Sequence, residues 1–170
     1  MDFLQVVENR RSYRKFTEEK IDKDLLEKIV NIAIKSPTAM NKQNRIFTVI
    51  QNEDIIKRLE DILASEYEIE DYNFFGAPCM ILVSAPKKNE IMGLQDTSIA
   101  LDHLYLAATY YGLGSCWINQ FKEAKSEEYY GLLQEINIPE DHIVYAAMAV
   151  GYPDEVPEEN PRNEEIRFVL

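Results

Sequence analysis

The sequence predicts an α+β fold in which helices pack on a mixed β-sheet. Segments with helical periodicity alternate with short apolar runs that are typical of strands. No strand–helix–strand pattern carries the dinucleotide-binding motif G-x-G-x-x-G. With 170 residues, 46% of them hydrophobic and 28% charged, the chain is expected to form a single domain over residues 1–170 with one substantial core.

Five helices are predicted from apolar residues at helical spacing. Asp22 is a candidate N-cap of the second helix, and Ser36-Pro37 ends it because a residue before proline is pushed out of the α region. The fourth helix is apolar around most of its circumference, so we expect it to be covered on all sides, partly by a second subunit. The predicted ranges are 2–9, 23–35, 53–65, 94–111 and 125–135.

Four short apolar runs have the character of strands, and proline or glycine residues bound several of them. Their predicted ranges are 46–50, 79–84, 115–118 and 143–150. After the last run, Gly151-Tyr152-Pro153 opens a tail rich in proline and glutamate, which we expect to be extended over residues 152–170. The tail ends in the strand-like sequence I-R-F-V-L at 166–170.

The composition excludes several classes of function. A formal net charge of −12 argues against broad contact with nucleic acid or an anionic membrane, since both need a basic face. Cys79 and Cys116 lie in apolar stretches, and His103 and His142 have no metal-binding spacing, so buried reduced thiols and no bound metal are expected. The N-terminus lacks the features of a secretory signal, which favours a cytoplasmic location.

Against this acidic background, residues 10–16 (R-R-S-Y-R-K-F) place four positive charges within six residues. Guanidinium groups bind a phosphate monoester through paired hydrogen bonds, and in an extended segment Arg10, Ser12 and Arg14 would point to one side. Arg11 would lie nearby. Alternatively, the cluster forms surface ion pairs or places cations at the C-terminal end of the first helix. Contact with nucleic acid is a third alternative.

A second segment, S-P-T-A-M-N-K-Q at 36–43, supplies small polar groups after a helix. Its polar side chains could hydrogen-bond the edge of a planar ring, with apolar ones against the ring faces, although polar loops after helices are common. The residues concerned are Thr38, Asn41 and Gln43, and then Pro37 and Met40. Trp117, Ile118, Asn119 and Gln120 could present backbone N–H groups to the same ring, or Trp117 could belong to the core.

Together these segments predict a site for a phosphorylated, planar, hydrogen-bonding ligand, and FMN fits that description. A flavin carries its own reactive atom and needs the protein mainly for binding and orientation. This agrees with a sequence in which no nucleophile motif, phosphate-binding loop or pair of catalytic carboxylates is visible.

In these segments the chain resembles the nitroreductase family of FMN-dependent NAD(P)H oxidoreductases. The matching motifs occur in the family's order and span nearly the whole chain. They are R-R-S-x-R at 10–14, S-P-T-A-M-N-x-Q at 36–43, Ala77-Pro78, D-T-S-I-A-L-D-H-L-Y-L-A-A at 96–108, G-L-G-S-C-W-I at 112–118, and Gly151-Tyr152-Pro153 before Pro161-Arg162.

The resemblance implies a sandwich with a mainly antiparallel sheet, forming an intertwined homodimer with two FMN sites at the subunit interface. Arg10, Ser12 and Arg14 would hold the phosphate and ribityl groups, and Arg162 would return to the phosphate from the tail. Segment 37–43 would reach the flavin from the other subunit, and segment 117–120 would lie beside the ring. The implied reaction is ping-pong electron transfer from NAD(P)H to nitroaromatic, quinone or similar acceptors.

The chain departs from the family pattern in two places. Asn44-Arg45 stands where many members have Pro-Trp, and the middle of the chain is compressed into about residues 60–75. Aromatic residues there could gate the pocket, or could be core or dimer contacts, which we favour: Tyr67, Tyr72, Phe74 and Phe75. A closed pocket would bind flavin and exclude acceptors, so the alternative function is an FMN-binding module, either a flavin reservoir or a redox sensor without turnover.

Overall fold

The computed structural model describes residues 1–159 and 161–170. At its centre lies a four-stranded antiparallel sheet with the strand order β1-β2-β4-β3. The strands are β1 (Ile46–Ile50), β2 (Cys79–Pro86), β3 (Gly114–Ile118) and β4 (His142–Gly151). An isolated parallel bridge adds Ser12 to the outer edge of β3 at Ser115. The predicted α+β class with a mainly antiparallel sheet is therefore confirmed.

The helices begin and end close to their predicted positions. They are α1 (Phe3–Asn9), α2 (Lys23–Ile34), α3 (Glu53–Tyr67), α4 (Glu90–Tyr110) and α5 (Glu127–Glu135). Asp22 caps α2 as predicted, because its carboxylate accepts a hydrogen bond from the Asp24 N–H at 2.9 Å. Helix α4 begins four residues earlier than predicted. Gly93 lies inside this helix although glycine is a poor helix former. A Cβ at this position would stand 2.7 Å from a ring atom of Tyr145, so a larger residue would collide with that ring.

Helices cover both faces of the sheet, which makes the domain a three-layer sandwich. Side chains alternate along β2, so Met80 and Leu82 contribute to the core beneath α3 and α5, whereas Ile81 and Val83 contribute to the core beneath α2 and α4. Both cysteines are buried and free, as the sequence predicted. Burial raises the pKa of Cys79 to about 12, so this thiol remains protonated and unreactive.

The outer side of α4 and the short helix α1 present apolar side chains that this chain does not cover. Ile91 and Phe3 are 77% and 70% exposed, and Met92, Ile99 and Leu4 are also exposed. The predicted cover for an all-round apolar α4 is therefore only partly supplied by its own chain. No helix among the described residues is long and apolar enough to span a bilayer.

The strand-like sequence at 166–170 forms no strand within this single chain. Residues 154–159 and 161–170 have no strand pairing, and Ile166 and Phe168 are each 78% exposed. A strand exists only where a neighbouring strand accepts and donates its hydrogen bonds, and this part of the tail has no such neighbour within the described chain. Residues 166–170 therefore have the composition of a strand, but no strand of the described chain pairs with them.

Two glycines allow residues 10–16 to lie against the sheet. Gly114 of β3 pairs with Gly151 of β4. A Cβ on Gly114 would stand 2.8 Å from the Tyr13 ring, and one on Gly151 would stand 2.9 Å from the Phe16 ring. Because both positions lack a Cβ, the backbone can cross here, and the Tyr13 N–H donates to the Ser115 carbonyl at 2.9 Å.

We expect Gly114→Ala to lower the free energy of unfolding by about 1–3 kcal/mol, because the added methyl group collides with Tyr13 in a filled region. Chemical denaturation measures this change. Gly131→Ala is the matched control, since Gly131 is exposed inside α5 with no atom within 4 Å of the new Cβ. That variant should be more stable by about 0.5–1 kcal/mol. Similar effects of the two substitutions would contradict close packing of residues 10–16 at Gly114.

Candidate functional site

The basic residues singled out in the sequence meet in a cleft of about 590 Å³ between the end of α1 and the C-terminal tail. The cleft is lined by Val7, Glu8, Arg10, Arg11, Ser12 and Arg14 on one side, and by Pro157, Glu158, Glu159, Pro161 and Arg162 on the other. Its volume lies within the usual range for a small-molecule site. The structure therefore brings Arg162 of the tail to the three arginines and the serine hydroxyl of residues 10–14, from which it is far apart in the sequence.

The backbone explains how one segment supplies most of this lining. Helix α1 ends at Arg10, whose backbone is extended with φ −61° and ψ 122°. Beyond it, Ser12 forms a bridge to β3, and Phe16 forms a second bridge to Pro153. In an extended segment alternate side chains share one side, which places Arg10, Ser12 and Arg14 towards the same cleft.

The arginines of the cleft differ in how they are held. The Arg11 guanidinium donates to the Glu8 carbonyl at the end of α1 and lies 3.4 Å from the Glu159 carboxylate. The alternative explanations for the cluster, a cation at a helix C-terminus and a surface ion pair, therefore both apply to Arg11.

Arg10 and Arg14 instead rest on aromatic rings. The guanidinium carbon of Arg10 lies 5.3 Å from the centroid of the Tyr105 ring, and that of Arg14 lies 5.8 Å from the centroid of the Phe75 ring. A cation–π contact occupies no hydrogen-bond acceptor, so the guanidinium N–H groups remain able to bind an anion. These two side chains are therefore the better candidates for direct contact with a phosphate.

Tyr105 is a part of this site that the sequence reasoning missed. Its buried ring lies beside the Arg10 guanidinium, and its hydroxyl accepts a hydrogen bond from the Trp117 backbone N–H. A tyrosine in the apolar run L-Y-L-A-A looks like any other core residue. Only its place beside segment 10–14 distinguishes it.

The strand end at 117–120 offers less to a ligand than the sequence suggested. Trp117 packs in part against the core beneath α2 and α4, and its N–H is already bound to Tyr105. The side chain of Ile118 is buried in the opposite core, which leaves only its backbone for a ligand. Asn119 is exposed at the end of β3, and the Gln120 carbonyl accepts a hydrogen bond from the Tyr67 hydroxyl at 2.7 Å.

The 36–43 loop is fixed to α4 by a polar network that the sequence did not reveal. The Asp96 carboxylate accepts the Ala39 N–H at 2.9 Å. Arg45 donates to the Asp96 carbonyl at 2.7 Å, to the Ser36 hydroxyl at 2.8 Å and to the Ser36 carbonyl at 2.9 Å. Arg45, one of the residues at which the sequence departs from the family pattern, therefore clamps the start of this loop to α4.

Within the clamp, the loop turns through left-handed backbone conformations. Met40, Asn41 and Gln43 have φ values of 53°, 52° and 48°, which are uncommon for residues with a side chain. The Gln43 amide donates to the Asn41 side-chain oxygen at 2.7 Å, and the Gln43 N–H donates to the Thr38 hydroxyl at 3.1 Å. The loop is thus ordered by its own polar groups, while Pro37, Met40, Asn41 and Gln43 face solvent.

One chain does not bring the two halves of the predicted site together. The loop is held at Asp96 and the basic segment at Tyr105, and both residues lie on α4. From the geometry of an α-helix, these positions are about 14 Å apart along the axis and about half a turn apart around it. Residues 36–43 also contribute nothing to the lining of the basic cleft in the described part of the chain.

The aromatic residues of the compressed middle region mainly form core. Phe74 is fully buried and stacks on Phe121 with 5.7 Å between the ring centroids, and Tyr72 meets Phe74 edge to face. The Glu60 carboxylate accepts the Phe74 N–H at 2.9 Å and fixes this turn. Phe75 differs, because it has a left-handed φ of 61° and supports Arg14 of the cleft.

Comparison with known proteins agrees with this architecture. The profile of the Nitroreductase family matches residues 7–152. A curated protein of Methanothermobacter thermautotrophicus is 29% identical over 160 residues, which is 92% of this chain and 80% of the relative. A curated protein of Archaeoglobus fulgidus is 26% identical over 153 residues, 88% of this chain and 84% of the relative. Both have the provisional name NADH dehydrogenase/NAD(P)H nitroreductase.

Solved structures share the fold over almost the full length. A crystal structure of a nitroreductase with bound FMN from Bacteroides fragilis aligns with a TM-score of 0.88 and 26% identity, covering 99% of each chain. A nitroreductase with bound FMN from Desulfitobacterium hafniense aligns with a TM-score of 0.86 and 26% identity, again covering 99% of each chain.

Proposed function

Because the chain belongs to the nitroreductase family, we propose that it is an FMN-dependent oxidoreductase that transfers electrons from NAD(P)H to nitroaromatic, quinone or similar acceptors. The cleft that combines Arg10, Ser12, Arg14 and Arg162 is the observation that carries this proposal. It provides the charge and hydrogen-bond donors that the phosphate of FMN needs, in a fold shared with two FMN-bound relatives.

The residues present fit the phosphate end of FMN. Arg10 and Arg14 would offer the edges of their guanidinium groups, Ser12 its hydroxyl, and Arg162 a further charge from the tail. The hydroxyl of Ser115, next to the bridge with Ser12, is buried and has no hydrogen-bond partner within the described chain. A buried hydroxyl without a partner is costly, so the strand edge next to the cleft holds a polar group that its own chain leaves unsatisfied among the described residues, although Ser115 does not itself line the cleft.

The ring end of FMN would lie towards the end of β3. When bound, FMN would accept a hydride from NAD(P)H and pass electrons to an acceptor in a second binding event. The protein's part would be to hold and orient the ring, using the backbone at 118–120 and the exposed side chain of Asn119. Loop residues Thr38, Asn41 and Gln43, with Pro37 and Met40, would complete the ring site from a second copy of the chain.

The need for a second copy follows from the separation of the two halves along α4. A homodimer would supply the missing loop to each cleft and would cover the apolar side chains exposed on α1 and α4. Two further features support it. Strand-like residues 166–170 have no partner strand among residues 1–159 and 161–170 of their own chain, and β1 lies at an open edge of the sheet. We therefore propose an intertwined homodimer with two FMN sites.

The experiment that tests the function is an anaerobic visible spectrum of the purified protein, before and after adding NADH and then NADPH. We expect a flavin spectrum that bleaches with at least one of the two nicotinamides and returns when a quinone is added. A control protein with Arg10 and Arg14 both replaced by alanine should carry much less flavin.

A flavin spectrum that persists with both nicotinamides would contradict the oxidoreductase and favour the alternative, a flavin reservoir or redox-sensing module. No flavin, even after FMN is supplied, would exclude both functions.

The proposed phosphate contacts predict that different arginine variants lose FMN affinity to different degrees. Arg10→Ala and Arg14→Ala should each weaken FMN binding by about 1.5–3 kcal/mol, the range for a hydrogen bond to a charged group. Arg11→Ala should cost less, because its guanidinium is already occupied by the Glu8 carbonyl and Glu159. Quenching of flavin fluorescence measures the affinity. Arg58→Ala is the control and should leave FMN affinity unchanged, because Arg58 pairs with Glu135 between α3 and α5 and does not line the cleft. Unchanged affinity in both Arg10→Ala and Arg14→Ala would disprove the phosphate assignment.

The dimer predicts a mass of twice 19.8 kDa in sedimentation equilibrium. A chain that ends at Glu165 should dissociate at higher concentration than the full-length chain, because residues 166–170 would no longer cover the partner. Its FMN content should fall in parallel, since each site needs both copies. A full-length monomer that binds FMN normally would show that one chain completes the site.

A further inference from the structure

We propose that Arg45 is a positioning residue, which holds the 36–43 loop in the shape that completes the flavin-ring site of a second copy of the chain. Arg45 itself would touch neither the flavin nor the acceptor. This inference rests on the proposed function and on the proposed homodimer. It gives a role to a residue at which the sequence departs from the family pattern.

The Arg45 side chain binds back onto its own chain. One guanidinium nitrogen donates to the Ser36 hydroxyl at 2.8 Å and to the Asp96 carbonyl at 2.7 Å, and another donates to the Ser36 carbonyl at 2.9 Å. The guanidinium carbon lies 5.8 Å from the centroid of the Phe47 ring on β1. The guanidinium is therefore engaged in fixing the loop, in contrast to the arginines of the basic cleft.

The hydrogen bonds at Ser36 have one consistent direction. A guanidinium donates and cannot accept, so the Ser36 hydroxyl is the acceptor in its contact with Arg45. The same hydroxyl donates to the Ala33 carbonyl at 2.6 Å, in the last turn of α2. This buried hydroxyl thus has both a donor and an acceptor as partners, and Arg45 joins the end of α2 to the body of α4.

Asp96 holds the next part of the loop. It is only 7% exposed, and its carboxylate accepts the Ala39 N–H at 2.9 Å. A buried carboxylate is costly unless charge and hydrogen bonds compensate it. Burial lowers the pKa of Arg45 and the negative Asp96 raises it, so a guanidinium that stays charged compensates this carboxylate. Arg45 therefore supports both points at which the loop is attached to α4.

The attached loop has a backbone shape that residues with side chains do not favour. Met40, Asn41 and Gln43 have left-handed φ values, and such residues persist only where surrounding contacts hold them. The Gln43 amide donates to the Asn41 side-chain oxygen, which leaves the exposed Asn41 amide hydrogens and Gln43 side-chain oxygen for a ligand. Without Arg45 the loop would sample other shapes, and a flavin that binds would have to order it again.

This ordering would act on the flavin of the partner subunit. Within the described part of the chain, residues 36–43 line no part of the basic cleft of their own chain. A defect at Arg45 would therefore impair the site on the partner, whereas a defect at Arg10 or Arg14 impairs the cleft of its own chain.

The first measurement is a fluorescence titration of the flavin-free protein with FMN and with riboflavin. Arg45→Met removes the hydrogen-bond donors and keeps the length of the side chain. We expect it to weaken the binding of both flavins alike, by at least about 5-fold, because ordering even one loop residue on binding has a cost of this size. Arg58→Met is the control, since Arg58 forms an exposed ion pair with Glu135, and it should change neither affinity. A loss confined to FMN would show that Arg45 binds phosphate directly and would overturn the inference.

The decisive test is subunit mixing. Chains with Arg45→Met and chains with both Arg10→Ala and Arg14→Ala are co-expressed with different affinity tags, and the mixed dimer is isolated by two successive purifications. One of its two sites combines an intact cleft with an intact loop, and the other site combines both defects. We expect one FMN per mixed dimer to bind with wild-type affinity, although neither parent dimer binds FMN so tightly.

A purely structural role of Arg45 would give a different result. If the Arg45→Met chain were only less well folded, its own cleft would be impaired too, and the mixed dimer would not recover a tight site. A mixed dimer without a wild-type site would overturn the inference, as would an Arg45→Met dimer of unchanged affinity. If Arg45→Met does not fold, Arg45→Lys replaces it in the same mixing experiment, because lysine keeps the charge but lacks the planar group that bridges Ser36 and Asp96.

The outcomes separate this inference from the proposed function. A wild-type protein that binds FMN, together with an Arg45→Met variant of unchanged affinity, rejects only the role of Arg45. Tagged chains that never purify together reject the homodimer and, with it, this role. A wild-type protein that binds neither flavin rejects the function and the role together.

Discussion

The outer edge of β3 is the element on which the rest of the site depends. The hydrogen bond from the Tyr13 N–H to the Ser115 carbonyl fixes an extended segment against this strand, and the absence of a Cβ at Gly114 leaves space for it. Because that segment is extended, its basic side chains alternate and reach one cleft rather than spreading over the surface. This backbone contact thus gathers a charged stretch of sequence at the cleft that we propose as the phosphate site.

Helix α4 contacts both halves of the predicted site and holds them apart. It carries the basic segment at Tyr105 and the polar loop at Asp96, about half a turn apart around its axis. A ligand that needs both halves cannot obtain them from one chain, which is why we propose a second copy. In the proposed homodimer the exposed apolar residues of α1 and α4 would be covered by the same surface that completes the site.

Local signals in the sequence predicted most of the fold. Strand β1 has the predicted bounds, and Asp22 caps α2. The placement of Arg162 came from the family resemblance and not from a local signal, and Arg162 lines the same cleft as Arg10. The features that were missed depend on long-range contacts. Tyr105 resembles an ordinary core residue until the open edge of β3 lies beside it. The clamp between Arg45 and Asp96 joins two residues whose sequence neighbourhoods give no sign of each other.

The acidic residues of the cleft show why charge alone overstates the number of phosphate ligands. Glu8, Glu158 and Glu159 line the same space as the arginines, and Glu159 pairs with Arg11. Such an exposed ion pair contributes at most about 1 kcal/mol, less than a charge-assisted bond to phosphate, so a bound phosphate could displace it. Arg10 and Arg14 need no such exchange because aromatic rings hold them in place. The cluster therefore divides into two arginines prepared for an anion and one that mainly closes the end of α1.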